Sequence, residues 1–455
     1  MPRLRRYAII FGLLIVAVLL AFSWNAVRER FPNLFDAERV DARELERLRT
    51  LDFAPMKSAT GDWPGFRGAN RDGQASAENF NSDWDAKPPK VLWKTPCGGG
   101  YSSCAVVDGV VYTQDLFEGN ERLIALDADS GAVRWTEAWP VDYSAFKLGY
   151  VPGPRGTPTV QEGIVYALGA LGRFTAHKLP TDAKGKPELL FQKEFTDEFH
   201  AELPQWGFAC SPLIIGELVV VQSSGRNGAV LAFDRKTGVW KWKAGSANNG
   251  YSSPVFAKLG GVPQVVAVTG NAAMGLNPSD GKILWEHSWT TQQGINAASP
   301  IIVGDYVFIS SNYGKGCALL CISDGKTAKV VYFRPGAKGL QTHQSTAVHR
   351  QGVLYGFDGS TLKAWNLREG KFAEDWAAPG SMQKGNASIV GDRLLIQSQN
   401  GTLALAEVDP TEFKPKGSFT GALTGSECWA NPAVVNGRIY TRDGVNVVCV
   451  DARER

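Results

Sequence analysis

The 455-residue chain has almost no excess of either charge. Its 48 Lys and Arg stand against 45 Asp and Glu, a formal net charge of +3, and charged residues make up 20 % of the whole. Nucleic acid needs a basic stripe or patch, so this balance excludes it as a partner. Histidine is scarce: the five, at 177, 200, 287, 343 and 349, show no metal-ligand spacing. No Cys or carboxylate completes a site around His343 and His349, so no metal centre is assigned. The seven cysteines are an odd number, which leaves at least one thiol unpaired within the chain. Cys317 and Cys321 stand four apart in a predicted strand, on one face but too far apart along it for an unstrained bridge. Asp358, Glu427 and Asp443 are scattered and form no carboxylate cluster. No catalytic residue is assigned.

Glycine is abundant instead, with 50 residues, and hydrophobic residues reach 44 %, a composition suited to a turn-rich β protein. A short unit repeats through it. Residues 125–135 read A-L-D-A-D-S-G-A-V-R-W, residues 232–242 read A-F-D-R-K-T-G-V-W-K-W, and residues 275–285 read G-L-N-P-S-D-G-K-I-L-W. A looser copy, A-W-N-L-R-E-G-K-F, begins at Ala364. Each predicts a hairpin: a strand ends on Asp or Asn, the side chain bonds the turn backbone, Gly supplies positive φ, and a new strand starts. Trp135, Trp242 and Trp285 close the units, and rings of that size pack between neighbouring repeats to give sheets a shared core.

A second piece precedes each hairpin: a Ser/Thr-Pro-like step, an apolar run, Gly, then an apolar strand often ending in Tyr. Copies start at Ser102, Thr157, Ser211, Ser253, Ser299, Thr346, Ser388 and Asn431. About eight copies at roughly 40 to 50 residues predict an all-β, eight-bladed β-propeller with four strands per blade. The last copy ends soon after V-V-C-V-D and lacks its outer strand. Residues 90–96 form a strand without a repeat of their own, so they are expected to complete the last blade and close the ring.

The Ala-x-Asp-x-x-x-Gly-x-x-x-Trp unit resembles the repeat of pyrroloquinoline-quinone (PQQ) type propellers, a family that includes quinoprotein alcohol dehydrogenases and the assembly factor BamB. The resemblance runs from about residue 60 to the end and specifies fold more strongly than function. In the dehydrogenases it implies a cofactor between a Trp and a disulfide of adjacent cysteines, with Ca²⁺ held by Glu, Asn and Asp and a further Asp as base. Here no two cysteines are adjacent, so no cofactor is expected, and PQQ with Ca²⁺ is the alternative. In the ring, Cys97, Cys104 and Cys428 come near one another, and a Cys104–Cys428 or Cys97–Cys428 disulfide is open.

Residues 61–73, G-D-W-P-G-F-R-G-A-N-R-D-G, resemble the lead-in found ahead of such propellers. Arg67, Asn70 and Arg71 would present polar groups at one mouth, while Trp63 and Phe66 would plug the core; both readings hold together. At the mouth where the innermost strands begin, Tyr101, Arg155, Trp206, Phe208, Tyr251, Asn296, His343, Gln344, Asn386 and Trp429 converge. They suggest a polar-aromatic funnel for a small molecule or peptide.

Before the propeller, Arg3, Arg5 and Arg6 precede an uncharged apolar stretch from Ala8 to Trp24. We expect residues 1–7 to be a cytoplasmic n-region, 8–24 a transmembrane signal anchor, 25–60 a charged juxtamembrane linker with a solvated helix, and 61–455 the propeller. This puts the propeller on the periplasmic side of the inner membrane. The expected function is a non-catalytic binding or scaffold protein of the cell envelope, resembling BamB in architecture, with envelope proteins or peptides as partners. A PQQ-dependent oxidoreductase and a sugar or peptide sensor are the alternatives.

Overall fold

A computed structural model describes residues 37–51, 61–144, 151–182, 185–226, 228–247, 250–378 and 382–454. The repeat hairpins form as their sequence dictates. Asp127 Oδ1 accepts from the backbone N–H of Asp129 (3.1 Å) and Ser130 (2.8 Å) and from Ser130 Oγ (2.7 Å), and Gly131 takes φ 72°. Asp234 holds Lys236 and Thr237 in the same way, and Asn366 holds Arg368 and Glu369. Each side chain fixes the turn that joins the third strand of a blade to its fourth.

Eight sheets result about one axis, each built on four antiparallel strands, and two of them gain a fifth strand from the segment before the propeller. Blade 1 comprises Ala105–Val107, Val110–Phe117, Asn120–Asp127 and Val133–Pro140, and later blades repeat this order. In blade 8, Ala433–Val435, Arg438–Arg442 and Asn446–Asp451 are joined by Lys90–Pro96, which pairs antiparallel with Asn446–Asp451. The predicted closing strand is therefore in place, and it removes the edge that an unfinished blade would expose.

The tryptophans bind blade to blade. Trp242 covers the turn glycine of the next blade: a Cβ at Gly281 would stand 2.6 Å from its ring, and its indole N–H donates to Pro278 O at 2.7 Å. Trp93 of the closing strand repeats the contact on Gly131 and Ala128 O (3.1 Å) of blade 1. Trp285 works through a relay, donating to Gln264 Oε1 (2.6 Å), whose amide donates to Gly325 O of blade 5 (2.8 Å). Trp135 is buried against Tyr112 of its own blade, in the cluster that also holds Val160, Val165 and Ala167 of blade 2.

The recurring Ser/Thr step is a hydrogen-bonded girdle. Each of these residues gives its backbone N–H to the hydroxyl of the next blade: Ser103 to Thr157, Thr157 to Ser211, Ser211 to Ser253, Ser253 to Ser299 and Ser299 to Thr346, at 2.9–3.2 Å. Asn431 closes onto Ser103 Oγ at 2.8 Å. At blade 7 a different element takes over. There Gln74–Ala75 pairs in parallel with the inner strand Asn386–Val390.

Three expectations are corrected or left outside. Among the described residues no helix is long and apolar enough to cross a membrane, and the predicted anchor at 8–24 lies outside them. The linker does not stay solvated where it is described. Arg39–Val40 adds a fifth strand to blade 5, and helix Ala42–Arg49, capped by Asp41, buries Leu45 and Leu48 against Tyr306, Tyr332 and Trp365. Two leucines three residues apart share a helix face, which suffices for docking although the helix is otherwise charged. All seven cysteines are free thiols, against the suggested Cys104–Cys428 or Cys97–Cys428 disulfide. Cys97, Cys104, Cys428 and Cys449 instead pack as small apolar side chains in the cluster joining blades 8 and 1.

Candidate functional site

The extended segments that lead into the inner strands decide what faces the axis. The residue two before each Ser/Thr step points into the mouth: Tyr101, Arg155, Ala209, Tyr251, Ala297, Gln344 and Trp429 all line one cavity of about 180 Å³. Trp206 and His343 reach it from the loops leading into blades 3 and 6, and Tyr313 from a hairpin turn of blade 5. Phe66 of the lead-in loop lies at its base beside Ser103, Ser211 and Ser253.

Three of the expected residues lie elsewhere. Phe208 and Asn296 stand one position further upstream, so the alternation of extended backbone turns them away. Phe208 is buried edge-on against Phe195, 5.6 Å between centroids, and Asn296 Nδ2 donates to Thr269 O and Trp289 O at 2.8 and 3.0 Å. Asn386 has the right offset but belongs to blade 7, where its amide donates to Trp429 O at 2.9 Å and is buried. Tyr313 was missed. It sits in a turn, at φ 59°, outside the repeat positions.

Aromatic pairs surround the cavity. Tyr101 and Trp429 lie 5.0 Å apart between centroids, Tyr313 and His343 5.2 Å, and Trp206 and Tyr251 5.8 Å. Tyr313 Oη and His343 Nε2 are also 2.8 Å apart, and His343 Nδ1 meets Gln344 Oε1 at 2.8 Å. Burial and the nearby Lys384 ammonium hold His343 below the usual imidazole range.

Arg155 is the one cationic lining residue. Its Nη1 donates to Gly153 O at 2.6 Å, and the guanidinium carbon lies 5.4 Å from the centre of the Tyr101 ring. Two carboxylates stand behind the wall. Glu427 accepts from Tyr101 Oη, and Glu121 accepts from Tyr143 Oη (2.6 Å), Ala170 N (2.9 Å) and Trp139 Nε1 (3.2 Å). Burial, then the Glu427 carboxylate, push the Tyr101 phenol well up, and burial raises the Tyr251 phenol to about 12. Both phenols are neutral donors at physiological pH.

The lead-in loop blocks the channel beneath. Arg67 donates to Thr346 O (2.7 Å), Ala347 O (2.8 Å) and Asp72 O (3.0 Å), and Arg71 to Ser211 O (2.9 Å) and Pro212 O (2.8 Å). Trp63 is buried and pairs with Val106. Both arginines remain cationic although burial lowers them to about 10. With Asn70 they border a second cleft of about 290 Å³, against Phe256 and Lys258 of blade 4.

A quinone held by calcium does not fit these residues in the arrangement described for the dehydrogenases. No carboxylate lines the cavity, and the two behind it are taken up by phenol, indole and amide donors. Among the described residues no group of three or more His, Cys, Asp or Glu is placed to hold a metal ion, and no thiol lines the cavity.

Comparison with known proteins follows the fold. A family model described as outer membrane protein assembly factor BamB matches residues 74–181 and 152–375. Among solved structures, a europium-containing methanol dehydrogenase is 13 % identical with a TM-score of 0.63, covering 88 % of this chain and 90 % of that one. A quinohemoprotein alcohol dehydrogenase, ADHIIG of Pseudomonas putida HK5, is 12 % identical with a TM-score of 0.56, covering 91 % and 82 %. The computationally designed Ika8 protein is 13 % identical with a TM-score of 0.54, covering 79 % and 98 %. At such identities the likeness is one of fold. No curated protein matches the chain.

Proposed function

The chain belongs to the PQQ-like propeller family of the outer membrane protein assembly factor BamB, and from that premise we propose that it is a non-catalytic binding protein of the cell envelope. In this reading the stretch 8–24 tethers it to the inner membrane, the propeller lies on the periplasmic side, and the funnel takes a small molecule or part of a protein partner. One observation carries it. The chain's own lead-in loop is bonded to the inner strands beneath an aromatic cup whose lining offers stacking, hydrogen bonding and the Tyr313–His343 pair but no carboxylate, and among the described residues no metal-ligand set.

A quinoprotein oxidoreductase is the rival, favoured by the Tyr101 and Trp429 rings at the mouth, 5.0 Å apart and tilted 31° to each other. Titration of PQQ with Ca²⁺ into the full chain, solubilised in detergent, separates the two through tryptophan fluorescence and quinone absorbance. The binding protein gives no saturable quenching and no alcohol-driven quinone reduction, and photocrosslinkers at positions 206 and 313 capture envelope proteins or peptides. Saturable PQQ binding with turnover overturns the proposal.

A further inference from the structure

The base of the funnel is unusually rich in donors. Ser103, Ser211 and Ser253 each use the hydroxyl oxygen to accept a backbone N–H from a neighbouring blade, at 2.8, 2.9 and 2.9 Å. A hydroxyl that accepts in this way keeps its own proton to give. Among the described residues none of the three protons has an acceptor, and all three residues line the cavity. Arg155 adds a guanidinium of which one nitrogen serves Gly153 O while the others bond no described protein group. Against these donors the lining sets no carboxylate.

From this juxtaposition we infer that the funnel is a carboxylate receptor: the anion bonds Arg155 and the serine hydroxyls at the base, and an attached ring or apolar side chain lies among Trp206, Tyr251 and Trp429. The inference rests on the funnel being the binding site, as proposed above, and names the ligand class. Size supports it. A cavity of about 150 Å³ is enough for benzene, so about 180 Å³ admits one ring and a carboxylate but little more. Two sources have this chemistry, a free aryl or arylalkyl carboxylate and the C-terminal residue of a peptide whose upstream backbone leaves through the mouth. Guanidinium–carboxylate pairing is geometrically specific and charge-assisted, so the charge, rather than the ring, sets affinity.

Four probes test it by calorimetry on the full chain in detergent: phenylacetate, phenylacetamide, acetyl-Gly-Gly-Phe and its C-terminal amide. Each acid is expected to bind at least about tenfold more tightly than its amide. Arg155→Gln is expected to erase that preference, so that acid and amide bind alike, with a melting temperature measured alongside to confirm folding. A peptide acid that outbinds phenylacetate identifies a chain terminus as the ligand, and the reverse identifies a free acid; either supports the assignment. Equal binding of acid and amide to the unaltered protein overturns the carboxylate assignment while leaving the funnel a binding site. No binding of any of the four overturns both.

Discussion

Trp240 and Trp242 are two residues apart on one strand and have opposite fates. Trp240 is 49 % exposed, whereas Trp242 is 4 % exposed, clamped over Gly281 and bonded to Pro278 O. Trp242→Ala therefore removes a buried ring and a hydrogen bond between blades 3 and 4, and is expected to cost about 3–5 kcal/mol. Trp240→Ala is expected to stay within about 0.5 kcal/mol. Equilibrium urea denaturation of both variants checks this, and similar midpoints would refute the clamp. The buried tryptophans were legible because turn spacing fixes which strand position faces the next blade. The funnel residues were only partly so. Counting back two residues from each Ser/Thr step selects most of the lining, whereas Phe208 and Asn296 stand three back and turn away; His343, also three back, reaches the cavity from its loop. Asn386 differs for another reason: its offset is right, but it lies within the inner strand of blade 7 and its amide is spent on Trp429 O.

The lead-in loop behaves as an element of the propeller. Where the Ser/Thr girdle passes from blade 6 to blade 7, Arg67 takes the carbonyls of Thr346 and Ala347, and Gln74–Ala75 continues along the inner strand of blade 7. Arg67→Met keeps most of the bulk but strips buried carbonyls of a charged donor, which is expected to cost about 3 kcal/mol or more. Limited proteolysis is expected to cut within residues 61–75 in that variant before any blade is cut. Unchanged protease resistance would mean that Trp63, Arg71 and the Gln74–Ala75 pairing hold the loop without Arg67. The Gly, Pro and aromatic content of 61–73 announced an ordered loop, and the missing outer strand of the last repeat announced Lys90–Pro96. Helix Ala42–Arg49 was harder to place, because its docking face amounts to Leu45 and Leu48 in a charged segment, and nothing local identifies blades 5 and 6 as the surface that receives them.

Across the whole ring, closure buries titratable groups that composition alone would leave in water. Burial pushes His177, His287 and His349 down to about 4, against an ordinary imidazole value near 6.5. His349 Nε2 also accepts the backbone N–H of Gly352 at 2.9 Å, a bond that only the neutral ring can accept. A histidine with a depressed folded pKa favours the folded state fully above the unfolded value, and that advantage is lost as pH falls from about 6.5 towards 4, because the unfolded chain takes up the protons first. Glu121 and Asp72, raised by burial, act in the opposite sense, so total stability alone does not isolate the histidines. A difference does. His177→Phe is expected to leave a flatter stability curve between pH 7 and pH 4.5 than the unaltered chain, the two curves converging or crossing on the acid side. Calorimetric unfolding of both proteins across that range gives the comparison, together with the proton uptake at pH 5.5, which is expected to be smaller in the variant. Parallel curves would mean that His177 is solvated in the folded ring, and that blade 2 opens to water more than its packing implies.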